Sequence, residues 1–497
     1  MTTRAVTPPV VGLLIVVTDG MLEPDAAAGE QSVTINSFDG IEVSGVEAVS
    51  PVEPDWATCI RRLLAAPRLT HIAVIEAGDR VAAENLDRLR AELETEHEVV
   101  YGDEDRLDVD GRRVDPWHKP AWSPERLSQQ FFLGGLTVYR RACVERIDLN
   151  HVSSELDLAA RATEQARAIA HVPAVLCHRR SLRSPRGEAA SGDGRGAPVG
   201  GEAPASDLSY PSCSVIIPTG GTRRVVRGRD VELVSNAIRS VCSRSTHPDF
   251  EVVVVFDQHS PPDLRQRVAA LDTRVRPVVD RRQFNFAAAC NLGVAASRGE
   301  IVVLLNDDTE VVTVDWLERL ARHAARPGVG AVGARLHYAD GRIQHGGLVA
   351  RYGSADHRYR GYPEHHRGRR GELEFAVNVL AVTGACLAVE RTKWDSIGGM
   401  DEVFPLNYND LDLCLRLRAS GLRTVQDNTT RLLHLETSSR ASGSESWEDD
   451  ELRRRWGEVL DDDPFDNPNL IRLGFDAHPS PPALTRLREH LGVAWPS

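Results

Sequence analysis

The chain has 497 residues, of which 41% are hydrophobic and 26% are charged, and its formal net charge is -13 at pH 7. This length exceeds that of one ordinary hydrophobic core, so roughly two or three globular domains are expected. The negative charge argues against nucleic acid as the main partner.

The cysteines and the apolar runs indicate the compartment. The eight cysteines form no C-x-x-C pair, which favours reduced thiols over disulfides or zinc. The N-terminus lacks the basic-then-apolar pattern of a signal peptide, and Val10–Val17 is too short to span a bilayer. We therefore expect a cytoplasmic protein whose membrane contact, if it has any, is peripheral and at the inner face of the cell membrane.

The first 180 residues alternate apolar runs with acidic and turn-forming segments. Val11–Val17 and His71–Ile75 predict strands, and Ala82–Leu93 predicts a helix. Tyr101–Asp105 is strongly acidic, and Asp115–Pro124 mixes tryptophans with prolines. The second of these segments predicts an ordered loop whose tryptophans serve either packing or binding.

Residues 181–210 differ in composition from the rest of the chain. Ser, Arg, Gly, Ala, Pro and Glu dominate there, and large apolar residues nearly vanish. Such a segment cannot bury enough surface to offset its chain entropy, so it predicts a disordered linker. The predicted domains are accordingly a first module over 1–180, a second domain over 211–441 and a C-terminal extension over 442–497.

After residue 210, predicted strands and helices alternate regularly. The predicted strands are Ser214–Pro218, Glu251–Phe256, Val275–Val279 and Ile301–Leu305, and the predicted helices include Phe284–Ala296 and Thr313–Arg322. This alternation predicts right-handed β-α-β units on a parallel sheet, and hence the α/β class.

The strand Ile301–Leu305 runs directly into the segment Asn306-Asp307-Asp308-Thr309-Glu310. Open α/β sheets bind their ligands at the carboxyl ends of their strands. Crowded carboxylates repel one another unless a cation joins them. The segment therefore predicts a divalent-metal site for a nucleotide diphosphate, with a solvated acidic turn as the alternative.

Two later residues are candidates for the same site. Asp410 lies in the first turn of a predicted helix, where the helix dipole favours a carboxylate, and His434 ends the apolar run Leu432–His434. Helix capping and a structural histidine are the respective alternatives.

The segment Arg351–Arg370 holds six arginines and three histidines, His357, His365 and His366. Four glycines or prolines are expected to prevent regular structure there. The segment predicts a mobile basic lid over a phosphate-bearing ligand, with a plain solvated loop as the alternative.

The two halves of the chain resemble each other. Ile72–Asp79 corresponds to Val302–Thr309, and the run ending at His178 corresponds to the run ending at His434. In this alignment Gly78 takes the place of Asp308, and Glu155 takes the place of Asp410. We predict a duplication whose first copy has lost the metal site and either supports the second domain or binds the acceptor.

Residues 213–440 resemble the family 2 glycosyltransferases of the GT-A fold, in particular bacterial O-antigen and rhamnosyl transferases. The matching segments are Phe284–Gly293, Asn306–Glu310, Ile343–Gly347, Val382–Cys386, Asn409–Arg416 and His434. Tyr101–Arg141 resembles the transferase-like module that often precedes such domains. The resemblance implies a Rossmann-like mixed sheet flanked by helices, duplicated here with a degenerate first copy.

The resemblance also implies residue roles. Asp308 and His434 would hold Mn²⁺ or Mg²⁺ between the two phosphates of the donor, and Asp410 would be the general base. Asn306 stands where the family often has the first aspartate of its Asp-x-Asp motif. The implied contacts to the nucleotide sugar are Thr219, Asp257, Asn291, Asp307 and Gly384.

The implied activity is metal-dependent, inverting hexosyl or rhamnosyl transfer. The donor would be UDP- or dTDP-linked, and the acceptor a glycan or lipid-linked glycan in polysaccharide, cell-wall or O-antigen biosynthesis. A single base, without a second carboxylate as nucleophile, suits inversion.

Two alternatives are open. A sugar nucleotidyltransferase would usually carry a lysine in the loop after the first strand, where this chain has Gly220–Arg224. A non-catalytic carbohydrate-binding scaffold is the other, and the presence of Asp308, Asp410 and His434 argues against it.

Overall fold

The computed structural model describes residues 9–16, 41–50, 54–180, 210–351, 354–435, 446–473 and 476–479. The described residues up to 180 form one compact unit together with 466–473, and those from 210 to 465 form a second. We call them unit 1 and unit 2. The disordered linker was predicted over 181–210, and all of this segment except Tyr210 lies outside the described residues. No helix in these ranges is long and apolar enough to cross a membrane.

Unit 1 is built on a mixed eight-stranded sheet. Its strands are β1 (Val10–Val16), β2 (Glu42–Val49), β3 (His71–Glu76), β4 (Arg80–Val81), β5 (Val99–Leu107), β6 (Arg113–Trp117), β7 (Leu136–Arg140) and β8 (Ile169–Arg180). Their order is β2-β1-β3-β7-β5-β8-β4, with β6 paired to β5. The helices are α1 (Trp56–Leu64), α2 (Leu86–Leu93), α3 (Pro124–Leu127), α4 (Arg141–Val144) and α5 (Glu155–Gln165), with 3-10 turns at Ala83–Asn85 and Leu149–His151.

Unit 2 is built on a mixed ten-stranded sheet with two hairpins beside it. Its strands are β9 (Cys213–Thr219), β10 (Arg223–Val226), β11 (Arg229–Glu232), β12 (Phe250–Asp257), β13 (Val275–Asp280), β14 (Ile301–Leu305), β15 (Thr309–Val311), β16 (Val329–His337), β17 (Ile343–His345), β18 (Leu348–Arg351), β19 (Ser354–His357), β20 (Ala376–Val379), β21 (Cys386–Glu390) and β22 (Arg423–His434). The sheet order is β13-β12-β9-β14-β21-β16-β22-β15, with β17 on β16 and β20 on β22, while β10–β11 and β18–β19 are the hairpins.

The helices of unit 2 are α6 (Leu233–Arg244), α7 (Pro262–Ala269), α8 (Phe286–Ala295), α9 (Trp316–Ala324), α10 (Arg391–Ser396), α11 (Asn409–Ala419) and α12 (Ser446–Asp461), with a 3-10 turn at Arg369–Glu374. Two short strands, β23 (Leu470–Leu473) and β24 (Asp476–Pro479), pair with each other. The described part of the C-terminal extension is thus divided, because α12 belongs to unit 2 and residues 466–473 belong to unit 1.

The two sheets share one topology, strand for strand. The order β2-β1-β3-β7-β5-β8-β4 in unit 1 corresponds to β12-β9-β14-β21-β16-β22-β15 in unit 2. Every corresponding pair also has the same direction, parallel or antiparallel. Within the described residues, unit 2 adds the edge strand β13 and the strand β20, which pairs with β22. The expected duplicated α/β fold with a mixed sheet is confirmed.

The strand β14 is buried on both faces because all five of its residues are apolar. Val303 and Leu305 pack in the same cluster as Trp316, and Val302 and Leu304 pack in the opposite cluster with Cys290 of α8. Its neighbours are β9, which is parallel, and β21, which is antiparallel. The four strands from which parallel β-α-β units were predicted, β9, β12, β13 and β14, do pair in parallel. The sheet becomes mixed where β21 pairs antiparallel with β14, and no local pattern in the sequence records that direction.

The basic segment 351–370 begins with regular structure, contrary to expectation. β18 pairs antiparallel with β19, and the Arg358 guanidinium then donates to the buried Glu372 at 3.0 Å. Gly361 and Gly368 follow the hairpin with φ of 83° and 72°. These glycines permit turns with positive φ, which other residues rarely adopt. They follow the hairpin in the chain and therefore do not prevent it from forming.

Candidate active site

A cavity of about 820 Å³ lies in unit 2 at the carboxyl ends of β9 and β14. Such a volume is in the range of small-molecule sites. The structure brings six of the eight residues predicted for the site into its wall: Thr219, Asp307, Asp308, Gly384, Asp410 and His434.

Strand pairing explains why Asp308 and His434 meet. β15 follows Asp308 and pairs antiparallel with β22, which places Thr309 opposite His434. Asp308 Oδ1 then lies 3.0 Å from His434 Nε2. Leu435 N also donates to the Asp308 carbonyl oxygen at 2.8 Å, which fixes the backbone beside the pair.

Two amides orient the imidazole of His434. Its Nδ1 lies 2.8 Å from Gln344 Oε1, so Nδ1–H donates to that oxygen. Asn306 Nδ2 lies 3.2 Å from Nε2. With both ring nitrogens protonated, Nε2–H can donate to the Asp308 carboxylate. If Nε2 loses its proton, its lone pair and the carboxylate face each other, and this arrangement suits a cation as the shared partner.

The donor set fits a divalent metal in part. An imidazole nitrogen and a carboxylate oxygen are ordinary ligands of Mn²⁺. The described ranges contain no group of three or more His, Cys, Asp or Glu side chains that could hold a metal ion. Asp308 and His434 would therefore supply two ligands of such a metal, which needs further ligands besides these.

The two adjacent carboxyls differ in their pKa. Burial raises the pKa of Asp307 to about 6, although the Thr219 hydroxyl donates to Asp307 Oδ2 at 2.6 Å. Burial also acts to raise the pKa of Asp308, but the charges of His434 and Arg224 outweigh it and hold that pKa below its ordinary value. Asp308 is thus the carboxylate that stays ionised beside the imidazole.

Asp410 lies elsewhere on the cavity wall, in the first turn of α11. Gly384 N donates to its Oδ2 at 2.7 Å, and Leu411 N donates to its Oδ1 at 2.8 Å. Burial raises the pKa of Asp410 above its ordinary value even though these N–H groups stabilise the carboxylate. A raised pKa with a fixed orientation is what a proton acceptor requires.

Asp257 and Asn291 are not in the cavity wall. Asp257, at the end of β12, lines a smaller pocket to which Thr219 also contributes. Asn291 lines neither pocket, because its side chain donates to Met400 O at 2.9 Å and accepts from Met400 N at 3.0 Å. That Asn291 contacts the nucleotide sugar stays a prediction, and its hydrogen bonds to Met400 do not support that role.

Arg224 is a cavity residue that the sequence did not single out. It lies on the β10–β11 hairpin, which is inserted between β9 and α6, and its Nη1 is 3.8 Å from Asp308 Oδ2. That Nη1 is buried and makes no hydrogen bond to the described residues. The signal for it in the sequence is the pair Arg223-Arg224, two cations that follow the first predicted strand of this domain.

In unit 1 an arginine occupies the place of His434. Val81 of β4 corresponds to Val311 of β15, and the residues opposite them are Cys177 and Leu432. His434 lies two residues after Leu432, so its counterpart is Arg179, two residues after Cys177, and not His178. The alignment of His178 with His434 is therefore wrong by one residue.

The guanidinium of Arg179 takes the position of a cation in unit 1. It lies 2.7 Å from Glu76 Oε1 and 3.4 Å from Glu104 Oε1. Gly78, in the place of Asp308, has a φ of 88°, so an aspartate there would be strained. Neither implied metal ligand is retained in the first copy, as expected of a degenerate site.

We expect Arg179→Ala to destabilise unit 1 by about 1.5–3 kcal/mol, because it removes one of the two cations beside the buried Glu104, which keeps Lys119 Nζ at 2.9 Å. Hydrogen exchange of the β3 and β8 amides would report the loss. Arg88→Ala, at an exposed position of α2, is the control and should change exchange little. Equal protection of these amides from exchange in Arg179→Ala and in wild type would show that the contacts of Arg179 with Glu76 and Glu104 do not stabilise unit 1.

Comparison with known proteins identifies a family over part of the chain. Residues 214–392 match the model of the family described as Glycosyl transferase family 2. The chain is 34% identical over 422 residues to the uncharacterized protein y4gI of Sinorhizobium fredii, covering 75% of this chain and 45% of that protein. It is 30% identical over 456 residues to the O-antigen biosynthesis protein RfbC of Myxococcus xanthus, covering 85% of this chain and 36% of that protein. The chain spans less than half the length of either relative.

Two solved structures show weak similarity. One is GalNAc-T7 with UDP, GalNAc and Mn²⁺, with a TM-score of 0.41, 14% identity, and coverage of 57% of this chain and 55% of that chain. The other is the mannosyltransferase PcManGT from Pyrobaculum calidifontis in complex with GDP-Man and Mn²⁺, with a TM-score of 0.35, 18% identity, and coverage of 52% and 66%. At these TM-scores neither similarity bears on the residues of the cavity.

Proposed function

The chain carries a domain of glycosyl transferase family 2, and from this premise we propose that unit 2 transfers a sugar from a nucleotide-diphosphate donor to a hydroxyl group of a glycan or lipid-linked glycan. The observation that carries the proposal is that one cavity is lined by the Asp308–His434 pair and by Asp410. The residues assigned to stabilise the leaving diphosphate and the residue assigned to remove the proton of the acceptor hydroxyl thus face one cavity.

Donor binding is assigned to the end of the cavity formed by β9 and β14. Asp308 and His434 would hold Mn²⁺ or Mg²⁺, and such an ion would supply positive charge to offset the charge that grows on the leaving diphosphate. Asp307 and Thr219, joined by their hydrogen bond, face the nucleotide, and Asp257 in the adjoining pocket accepts from the base of a UDP or dTDP donor.

Asp410 is assigned as the general base. It accepts the proton of the acceptor hydroxyl as the oxygen attacks the anomeric carbon, and such a base contributes on the order of 10²–10⁴-fold. Attack from the Asp410 side, with the diphosphate leaving toward Asp308, inverts the anomeric configuration. Gly384 N orients the carboxylate through its bond to Oδ2.

One relative and the cysteines bear on the acceptor and the location. The relative named for O-antigen biosynthesis supports a surface polysaccharide or its lipid-linked precursor as acceptor. All eight cysteines are free, which supports the cytoplasm as compartment, with the inner face of the membrane as the place where a lipid-linked acceptor is reached.

A thermal-shift screen of nucleotide sugars with and without Mn²⁺ tests the proposal. We expect one UDP- or dTDP-sugar to raise the melting temperature, and more so with Mn²⁺ present, because ligands that bind the native state stabilise it. Incubation of that donor with candidate acceptors should then release the nucleoside diphosphate. Formation of a nucleotide sugar from a sugar phosphate, with release of pyrophosphate, would instead support a nucleotidyltransferase.

We expect Arg224→Gln to weaken the binding of the donor by roughly tenfold, since a cation this close to Asp308 is placed to contact the diphosphate. Calorimetry with the donor and Mn²⁺ measures the change. Arg229→Gln, an exposed residue of the same hairpin, is the matched control and should bind like wild type. If both variants bind equally well, Arg224 does not contact the donor.

A further inference from the structure

We propose that Glu448 of α12 is a positioning residue for the general base, because it fixes the loop that leads into Asp410. The proposal rests on the role assigned to Asp410 above. The helix α12 lies well beyond residues 214–392, the part of the chain that matches the family model.

Glu448 binds the loop before α11 through both carboxylate oxygens. Its Oε1 accepts from Asn407 N at 3.1 Å and from Leu406 N at 3.4 Å, and its Oε2 accepts from Asn407 Nδ2 at 2.7 Å. The Glu448 side chain is fully buried, with 0% exposure. A buried carboxylate is costly unless its oxygens are satisfied, and here one short loop supplies all three donors.

The neighbouring residues of α12 and the loop make a second contact. The Tyr408 hydroxyl donates to Asp449 Oδ1 at 2.6 Å. Tyr408 has a φ of 61°, a left-handed conformation that is uncommon for a bulky side chain and costs free energy. Such a conformation persists only where its surroundings impose it, and here Glu448 binds the two residues before Tyr408 while Asp449 binds the Tyr408 side chain.

A third contact joins α12 to α11 itself. Asp412, which is fully buried, accepts from Trp456 Nε1 at 3.0 Å and lies 3.3 Å from Arg455 Nη1. The helix that carries Asp410 is therefore tied to α12 both before and after that residue. Leu406, Asn407 and Tyr408 also line the cavity, so the loop that Glu448 holds is part of the site wall.

This arrangement places Asp410 at the end of a strained turn whose geometry depends on α12. A displacement of a catalytic group by about 1 Å can cost on the order of 10²-fold in rate. Loss of the Glu448 contacts would relax the turn and move the base, while Asp308, His434 and the donor end of the cavity keep their own contacts. The effect should thus fall on the chemical step and spare donor binding.

The test compares Glu448→Ala, Glu448→Gln and the control Glu458→Gln in the full chain. Glu458 is exposed on the same helix. We expect kcat to fall on the order of 10²-fold in Glu448→Ala and less in Glu448→Gln, which keeps one acceptor oxygen. The Kd of the donor with Mn²⁺ should be unchanged in both variants, and the control should equal wild type in both quantities.

Tyr408→Phe provides a second, milder variant in case Glu448→Ala does not fold, because it removes one hydrogen bond to Asp449 and keeps the ring. We expect a several-fold fall in kcat with donor Kd unchanged. A parallel loss of donor affinity and kcat in these variants would mean a merely structural role and would overturn the proposal.

Wild-type kcat in Glu448→Ala, in a protein where Asp410→Asn abolishes transfer, would overturn the positioning role and leave the proposed function standing. If Asp410→Asn itself keeps wild-type transfer, the assignment of the base fails, and the role of Glu448 fails with it.

Discussion

Asp410→Asn is expected to lower kcat for sugar transfer on the order of 10²–10⁴-fold while the donor still binds. The amide keeps the size of the carboxylate and one acceptor oxygen for Gly384 N, so the turn at the start of α11 is retained. What is lost is the group that accepts the proton of the attacking hydroxyl. Steady-state kinetics with saturating donor, together with calorimetric donor binding, measure the two effects separately.

The pH dependence of kcat is a second test of Asp410 as the general base. The base must be deprotonated to act, so kcat should fall as the pH drops through the pKa of Asp410, which burial raises above its ordinary value. Asp395→Asn, at an exposed position, is the control and should keep the wild-type rate and profile. Near-wild-type transfer by Asp410→Asn would remove Asp410 from the mechanism.

Asp308→Ala is expected to weaken Mn²⁺-dependent donor binding on the order of 100-fold or more, since even the outer contacts of metal sites carry 10- to 100-fold effects on affinity. Asp308 is the carboxylate whose pKa is held low beside His434, and its loss leaves the imidazole as the remaining member of the pair. Donor titrations with Mn²⁺ and with EDTA separate the metal-dependent part.

The same exposed control, Asp395→Asn, should bind the donor as wild type does in both buffers. An Asp308→Ala variant whose donor affinity still rises on addition of Mn²⁺ to the wild-type extent would show that the cation is held elsewhere.

Elements with a strong local signal could be predicted closely from the sequence. The bounds of β14, Ile301–Leu305, agree with the structure because a run of five apolar residues ends sharply at polar ones. The helix expected at Phe284 begins at Phe286, because the Asn285 side chain accepts from Ala288 N and caps it. Local patterns thus locate elements, while capping decides where they start.

The end of β22 shows why site geometry was harder to predict. The sequence shows only the apolar run Leu432–His434, but in the structure this run ends a longer strand, Arg423–His434, whose pairing with β16 shifts between Asp427 and Arg431. Asp427 accepts from Thr429 N and from the Thr430 hydroxyl and thereby stabilises the irregularity. The shift sets which residues face the cavity, and no periodicity in the sequence records it.

The residues that the sequence missed act through long-range contacts. Arg224 reaches Asp308 across 84 positions of the chain because of a hairpin, and Arg179 faces Glu76 from across the sheet. Glu448 binds a loop that lies 41 residues before it. Charged residues of this kind look like ordinary surface residues in a sequence, and only tertiary structure gives them their partners.

The most direct test of the central claim is pulsed electron paramagnetic resonance of Mn²⁺ bound together with the nucleotide-sugar donor. If Asp308 and His434 hold the cation that binds the diphosphate, the Mn²⁺ signal should show coupling both to phosphorus and to a histidine nitrogen, and His434→Ala should remove only the nitrogen coupling. Phosphorus coupling without nitrogen coupling in wild type, or nitrogen coupling that survives in His434→Ala, would contradict the assignment of this cavity as a metal-dependent transferase site.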